Sequence, residues 1–184
     1  MRTLAVAAVL AAGAPVFAAG DDENTRDVYV SSHGAWTARA TVDTFEEREV
    51  AWYAFHRQGD DGGFALTCRV GDVLSFDAYA DNMFINSIGL AWQQRQPIVV
   101  RVKVDDYPVV EVKGKYPNTI ASREADVRKL IAELTDGEVA RIRTQHGEEQ
   151  HTFVLSLDGF REAAAWTLGK CGYVLKDRKD EEEE

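Results

Sequence analysis

The chain has few of the residues that common reactive sites require. It contains two cysteines and four histidines among 184 residues. It has no Cys-x-x-Cys pair, no Gly-x-Ser-x-Gly turn and no glycine-rich loop of the kind that holds phosphate. These absences argue against a zinc ribbon, an α/β-hydrolase nucleophile and a nucleotide-binding loop.

Positive charge is also scarce. Twenty-one Lys and Arg residues stand against 31 Asp and Glu residues, for a formal net charge of −10 at pH 7. Binding to nucleic acid or to an anionic lipid surface depends on clustered Lys and Arg, so the balance argues against both. By charge complementarity, a partner protein is predicted to be basic.

Long apolar runs are missing after the first twenty residues. Met1-Arg2 is a basic start, Leu4 to Val16 is apolar, and Val16-Phe17-Ala18 offers small residues before a cut at Ala19. This layout is typical of a secretory signal peptide, and a retained anchor is the alternative. We therefore expect residues 1–18 to be a signal peptide, the destination to be periplasmic or secreted, and no membrane span to remain after cleavage.

The two cysteines, Cys68 and Cys171, gain meaning from that destination. In an exported protein two thiols usually pair, so a Cys68–Cys171 disulfide is predicted. A metal site is the alternative, but neither Cys has a Cys-x-x-Cys partner or a His at ligand spacing.

Patterning predicts a mainly β, sandwich-like single domain of antiparallel sheets, with two short helices toward its C-terminal end. Ile98 to Val104 alternates valines with Arg101 and Lys103, as in a half-buried strand. Val127, Leu130, Ile131 and Leu134 form the stripe of an amphipathic helix. We expect a flexible lead-in over residues 19–33, the β-rich domain over 34–175 and a disordered acidic tail over 176–184.

Candidate chemical groups are few. His146 and His151 flank a predicted hairpin turn that contains Glu148 and Glu149, and could converge on a metal. Solvated turn residues are the favoured interpretation, and no metal site is predicted. The spacing of residues predicts no catalytic group and no cofactor.

Aromatic residues are concentrated in the first half of the chain. An exposed aromatic patch would mark a partner surface, whereas alternation along a strand would place half of these side chains in the core. The candidates for such a binding surface are Trp52, Tyr53, Phe55, Tyr79 and Trp92.

The C-terminal two thirds of the chain carries several short sequence motifs. Among them are a helix with Leu-Ile-Ala-Glu-Leu, a strand that runs into Leu-Asp-Gly-Phe, a short helix rich in Ala and a late Cys. The segments are Leu66–Arg69, Val102–Asp105, Leu130–Leu134, Gly137–Arg143, Phe153–Phe160, Ala163–Ala164 and Cys171. In these motifs and in their order, the chain resembles the exported proteins of the invasion-associated locus B family, and also VasI-type accessory proteins of the type VI secretion apparatus. It departs from the first pattern after Trp36, where no Cys follows between Thr37 and Asp43.

The resemblance implies a secreted or periplasmic β-sandwich-like domain that is not an enzyme and acts through contacts with another protein. It implies no catalytic residues. Two other functions remain open at this point. One is an inhibitor or immunity protein against a periplasmic toxin or a cell-wall hydrolase, and the other is a secreted hydrolase.

Overall fold

The computed structural model describes residues 24–58, 62–71, 74–79, 98–114, 119–121, 124–146 and 149–175. The strands in these segments are β1 (Thr25–His33), β2 (Trp36–Asp43), β3 (Arg48–Gln58), β4 (Gly62–Arg69), β5 (Ser75–Tyr79), β6 (Ile98–Val104), β7 (Val110–Gly114), β8 (Thr119–Ala121), β9 (Val139–His146) and β10 (Glu149–Ser156). The helices are α1 (Glu124–Asp136) and α2 (Phe160–Lys170).

The strands form two antiparallel sheets. One has six strands in the order β1-β2-β3-β4-β5-β8, and the other has four in the order β10-β9-β6-β7. Neighbours in the sheets are mostly neighbours in sequence, joined as hairpins. Two pairs are exceptions. β6 and β7 lie between β5 and β8 in the chain, and β7, β8 and α1 lie between β6 and β9.

The core lies between the two sheets and includes one face of each helix. Its residues come from both sheets and both helices and form one continuous buried cluster. Helix α2 packs against β2, β3 and β4, and α1 packs against α2, β5 and β8. The predicted helical stripe is confirmed, because Val127, Leu130, Ile131 and Leu134 are all buried.

Trp36 joins the two sheets at one end of the core. It is fully buried at the start of β2, and its indole Nε1 donates to the carbonyl oxygen of Ser156 on β10 at 2.8 Å. Its ring makes edge-to-face contacts with His56 and Phe160, with centroids 5.1 and 4.7 Å away. The backbone N–H of Ala35 donates to the carbonyl oxygen of Asp158 at 2.9 Å, which fixes the same corner.

The predicted fold class is confirmed: the chain is mainly β, with two antiparallel sheets around one core and two helices in its C-terminal half. A bilayer-spanning helix needs about 20 apolar residues, and no helix within the described part of the chain meets that requirement.

The expected flexible lead-in is wrong for residues 25–33, which form β1 and pair with β2 along its length. The strand lies at the edge of its sheet, and most of its side chains are exposed or half-buried. Backbone pairing rather than apolar burial holds it in place, so its sequence lacks the alternation that marks a half-buried strand. The predicted signal peptide of residues 1–18 and the predicted disordered tail of residues 176–184 lie outside the described residues.

Candidate functional site

Positive charge collects on the outer face of the four-stranded sheet. In β6 the valines at 100, 102 and 104 are buried, and in β9 Ala140 and Ile142 are buried. Because side chains alternate along a strand, the residues between them point away from the core. These exposed residues are Arg101, Lys103, Arg141 and Arg143.

The register of β6 against β9 brings these four cations side by side. Arg101 lies directly opposite Arg143, and Lys103 lies directly opposite Arg141. Like charges in direct cross-strand positions destabilise a sheet. Two such pairs next to each other, in a chain with a net charge of −10, are not explained by folding stability.

The first cross-strand row has partners on both sides. Arg143 donates from Nε to Oγ1 of Thr152 on β10 at 3.4 Å. Arg101 donates from Nε to Oε2 of Glu111 on β7 at 3.2 Å. We call these four residues the paired row, since each cation is held by a neighbour outside the cation pair.

The second row lacks such partners. Val154 on β10 lies opposite Arg141. Val109, which directly precedes β7, lines the same depression as Lys103. Both valines are exposed, each at 54%. Among the described residues, neither Lys103 nor Arg141 has a carboxylate within ion-pair distance. Val154, Arg141, Lys103 and Val109 are the open row.

The two rows enclose a shallow depression of about 180 Å³. It is lined by Arg101, Lys103, Val109, Arg141, Arg143 and Thr152. A depression with aliphatic and cationic walls can bind an anionic group and apolar carbon at once.

The nearest acidic neighbour along β6 does not neutralise this surface. Asp105 follows Lys103 by two residues, at the end of the strand. Its carboxylate oxygens accept hydrogen bonds from the backbone N–H groups of Glu138 at 2.7 Å and Val139 at 3.0 Å. Those two bonds hold the start of β9 against the end of β6, so Asp105 positions the cations of β9 relative to those of β6.

The predicted disulfide is confirmed. Cys68 on β4 and Cys171 just after α2 are bonded, with their Cα atoms 6.5 Å apart and a sequence separation of 103. Cys68 is buried in the core. The bond ties the C-terminal end of α2 to the middle of the six-stranded sheet.

A charged contact lies beside the disulfide. Glu49 accepts hydrogen bonds at Oε2 from Nζ of Lys170 at 2.8 Å and from the indole Nε1 of Trp52 at 2.7 Å. These bonds to Lys170 and Trp52 lower the pKa of Glu49. Both features attach the same end of α2 to the sheet, and neither exposes a reactive group.

The prediction of an aromatic binding surface is wrong for three of its five candidate residues. Trp52, Tyr53 and Phe55 are buried, at 9%, 9% and 6% exposure. Trp52 belongs to the main core. Tyr53 and Phe55 form a small cluster with Ala51 and Ala65 on the opposite face. β3 is therefore buried on both faces, and its aromatic side chains cannot offer a partner surface.

Two contacts hold those outer-face aromatics. The guanidinium of Arg39 lies 4.6 Å from the ring centroid of Phe55. The hydroxyl groups of Thr41 and Tyr53 are 2.9 Å apart, and burial raises the pKa of Tyr53. The side chain of Tyr79 and the whole of Trp92 lie outside the described residues, so their part of the prediction is untested.

A buried carboxylate lies on the same face of the six-stranded sheet. Asp77 is fully buried, and its Oδ2 accepts a hydrogen bond from the hydroxyl of Ser75 at 2.9 Å. Arg69 donates to the same oxygen at 3.4 Å. A buried carboxylate that is both ion-paired and hydrogen-bonded is explained by its partners and need not be a reaction centre.

The two histidine candidates lie on neighbouring strands without facing each other directly. His146 is opposite Glu149, and His151 is opposite Thr144. Their side chains lie outside the described part of the structure. Within that part, no group of three or more His, Cys, Asp or Glu residues is arranged to hold a metal ion.

Comparison with known proteins identifies no relative: no family model, no curated protein and no solved structure matches this chain. The resemblance to invasion-associated locus B and VasI-type proteins therefore stays a prediction.

Half of the cationic surface can be predicted from the sequence. The alternation in β6 placed Arg101 and Lys103 on a solvent face. The same alternation in β9, where Arg141 and Arg143 interleave with Ala140 and Ile142, is a signal of equal strength. The pairing of the two strands could not be predicted, because it joins segments about 40 residues apart in the chain.

Proposed function

We propose that this protein is an exported, non-enzymatic binding protein that acts through contact with another protein. Its binding surface is the outer face of the four-stranded sheet. The observation that carries the proposal is the open row, where Lys103 and Arg141 lie directly opposite each other without a carboxylate partner among the described residues. A row of this kind lowers the stability of the free protein and becomes favourable when an anionic group binds to it.

Export is supported by the disulfide and by the leader-like start of the sequence. Structural disulfides persist in oxidising compartments and are rare in the cytosol. The Cys68–Cys171 bond joins two distant parts of the core and is not a reactive exposed pair. We place the protein in the periplasm or outside the cell, as in the invasion-associated and type VI secretion-associated proteins that its sequence resembles.

The positive charge of this surface favours an acidic partner, whereas the negative net charge of the whole chain predicts a basic one. Interactions between exposed charges are screened beyond about 8 to 10 Å at physiological ionic strength. At contact distance a ligand on the open row therefore experiences the four cations more strongly than the distant carboxylates. The partner on this face is proposed to be acidic, and a basic partner remains a prediction for other surfaces.

Site-specific photo-cross-linking in the cells that make the protein tests the proposal. A benzophenone amino acid at Val154 or Val109 is expected to give a discrete cross-linked product with a second protein. The same probe at Phe45, which is 89% exposed between β2 and β3 of the other sheet, is the control. Equal cross-linking from Phe45, or none from either valine, would remove the proposed surface.

Export is tested on the same cells. The mature protein is expected in the periplasmic or extracellular fraction, with its N-terminus at Ala19 and no alkylatable thiol before reduction. A cytosolic protein with two free thiols would contradict the proposal.

A further inference from the structure

We propose that the open row binds a short extended segment of the partner with an acidic side chain between two aliphatic ones. The inference rests on the proposed function, since it specifies the occupant of that surface. It is carried by the order Val154, Arg141 and Lys103 on three neighbouring strands, with Val109, just before β7, in the same depression as Lys103.

The open row is the binding centre because its cations are available. In the paired row, Arg101 is held by Glu111 and Arg143 by Thr152. Arg101 is already neutralised by a carboxylate, and Arg143 already has a hydrogen-bond partner, so both attract an incoming carboxylate less strongly. Between Arg141 and Lys103, a carboxylate would reduce the repulsion of the two like charges. It can accept hydrogen bonds from both side chains. Arg presents a planar fork and Lys a mobile ammonium group, and both geometries suit a carboxylate.

Val154 and Val109 determine which side chains are favoured on either side of the acidic residue of the ligand. Each is about half exposed, which leaves aliphatic surface on both sides of the cation pair. A ligand that carries charge alone would leave that surface in water. A ligand with aliphatic side chains on either side of its acid would bury it, with a gain of about 25 cal/mol for each Å².

The length of the row fits an extended peptide that crosses the strands. Three strand spacings of about 4.8 Å separate the two valine positions, or about 14 Å in all. In an extended chain every second side chain points to the same face, at about 6.8 Å intervals. Positions 1, 3 and 5 of the peptide therefore span about 14 Å. Positions 1 and 5 would contact the two valines, and position 3 would contact the pair of cations between them. The expected pattern is aliphatic-x-acid-x-aliphatic.

A segment of protein fits better than a polyanionic surface. The patch consists of two rows and four cations, whereas nucleic acids and anionic membranes are bound by more extensive basic surfaces. The rest of the chain is strongly acidic and repels such surfaces. A short segment contacts the open row alone and avoids that repulsion.

The test is an NMR titration of the full mature protein, labelled with ¹⁵N, by the peptide acetyl-Gly-Val-Ser-Glu-Ser-Val-Gly-amide. Chemical-shift changes are expected in β6, in β9 and near Val109 and Val154. A peptide with Gln in place of Glu is expected to bind at least about fivefold more weakly, because it loses charge-assisted hydrogen bonds to Arg141 and Lys103. Equal binding of the two peptides would overturn the proposal.

Variants of the protein test whether peptide binding depends on the open row. Arg141→Thr and Lys103→Thr are each expected to weaken binding at least about fivefold. Arg48→Thr makes the same change of charge at an exposed position on the other sheet, and it should stay within about twofold of the parent. Arg141→Gln is the second variant should the threonine substitution fold poorly, and a melting curve establishes that each variant is folded. An effect of Arg48→Thr as large as that of Arg141→Thr would make the binding non-specific and overturn the site.

Other occupants give distinct results. Binding of heparin or of phosphatidylglycerol vesicles with the same dependence on Arg141 and Lys103, and no binding of the peptide, would overturn the assignment to a protein segment. A gain in peptide affinity on truncation after Leu175 would place the acidic tail of this chain on the row, and would overturn a separate partner. Cross-linking from Val154 without peptide binding would reject the motif and leave the proposed function intact. Loss of both would reject the function as well.

Discussion

At the scale of single residues, Gly159 shows how one backbone conformation holds the two sheets together. It precedes α2 with a φ of 82°. A Cβ atom at this position would overlap the carbonyl group of His33, at the end of β1. The turn between β1 and β2 can pack against the start of α2 only because residue 159 has no side chain.

Gly159→Ala is expected to lower the free energy of unfolding by about 2 kcal/mol or more, because the left-handed conformation alone costs alanine about 1 to 2 kcal/mol. Gly169→Ala is the matched control. That residue lies in α2, and a Cβ there would meet nothing within 4 Å. It should raise the free energy of unfolding by about 0.5 to 1 kcal/mol, since alanine favours a helix. Urea denaturation measures both, and a neutral Gly159→Ala would show that the corner can relax.

His56 is the second residue whose environment has a measurable effect. It is 9% exposed on the core face of β3, and its ring contacts Trp36. Burial lowers the pKa of its imidazole below the ordinary 6.5. The unfolded chain therefore binds a proton more readily than the folded protein does, so the stability associated with this group is lost as the pH falls below 6.5.

We expect the free energy of unfolding to decrease between pH 7 and 5 with a component from His56. For one proton that component is at most about 1.4 kcal/mol per pH unit. Comparison of the parent with His56→Gln over this range isolates it, because the other titrating groups are common to both proteins. Parallel pH profiles would show that the imidazole does not titrate differently on folding.

At the scale of elements, the β6–β9 pair combines good burial with unfavourable charge. Its inner face supplies fully buried valines, and its outer face sets like charges directly against each other. The inner face determines the register, because a shift by one residue would bring the cations into the core. The outer arrangement is therefore fixed by packing on the other side of the sheet.

Arg141→Thr is expected to raise the free energy of unfolding by about 0.3 to 0.5 kcal/mol at low salt, because it removes a like-charge pair and threonine favours strands. Arg101→Thr should leave it unchanged or lower it slightly, since that change also removes the ion pair with Glu111. The difference between the variants should shrink in 1 M salt. Destabilisation by Arg141→Thr would mean that the open row has a structural role.

The elements also show which features the sequence could predict. β6 and α1 were predicted because each is buried on one face, so that its apolar residues repeat with a clear period. The aromatic residues of β3 were misjudged because that strand is buried on both faces from Ala51 to His56, where periodicity carries no information. β1 was missed for the opposite reason, since little of it is buried.

At the scale of the whole molecule, the disulfide closes a loop that contains β5 to α2. In the chain-entropy account, a loop of about 100 residues contributes about 4.7 kcal/mol by restricting the unfolded chain. We expect reduction, or the double change Cys68→Ala and Cys171→Ala, to lower the free energy of unfolding by about 4 kcal/mol. Urea denaturation with and without reductant measures it. A reductant effect on the double variant would mean that something other than this bond is responsible.

The disulfide also limits the structural effect of cleavage by a protease. The four-stranded sheet and both helices lie between Cys68 and Cys171, so a single nick there opens the backbone without releasing a fragment. The severed pieces stay covalently joined and share one core. A single cut that would dismantle an unlinked chain is therefore expected to leave the cationic face assembled.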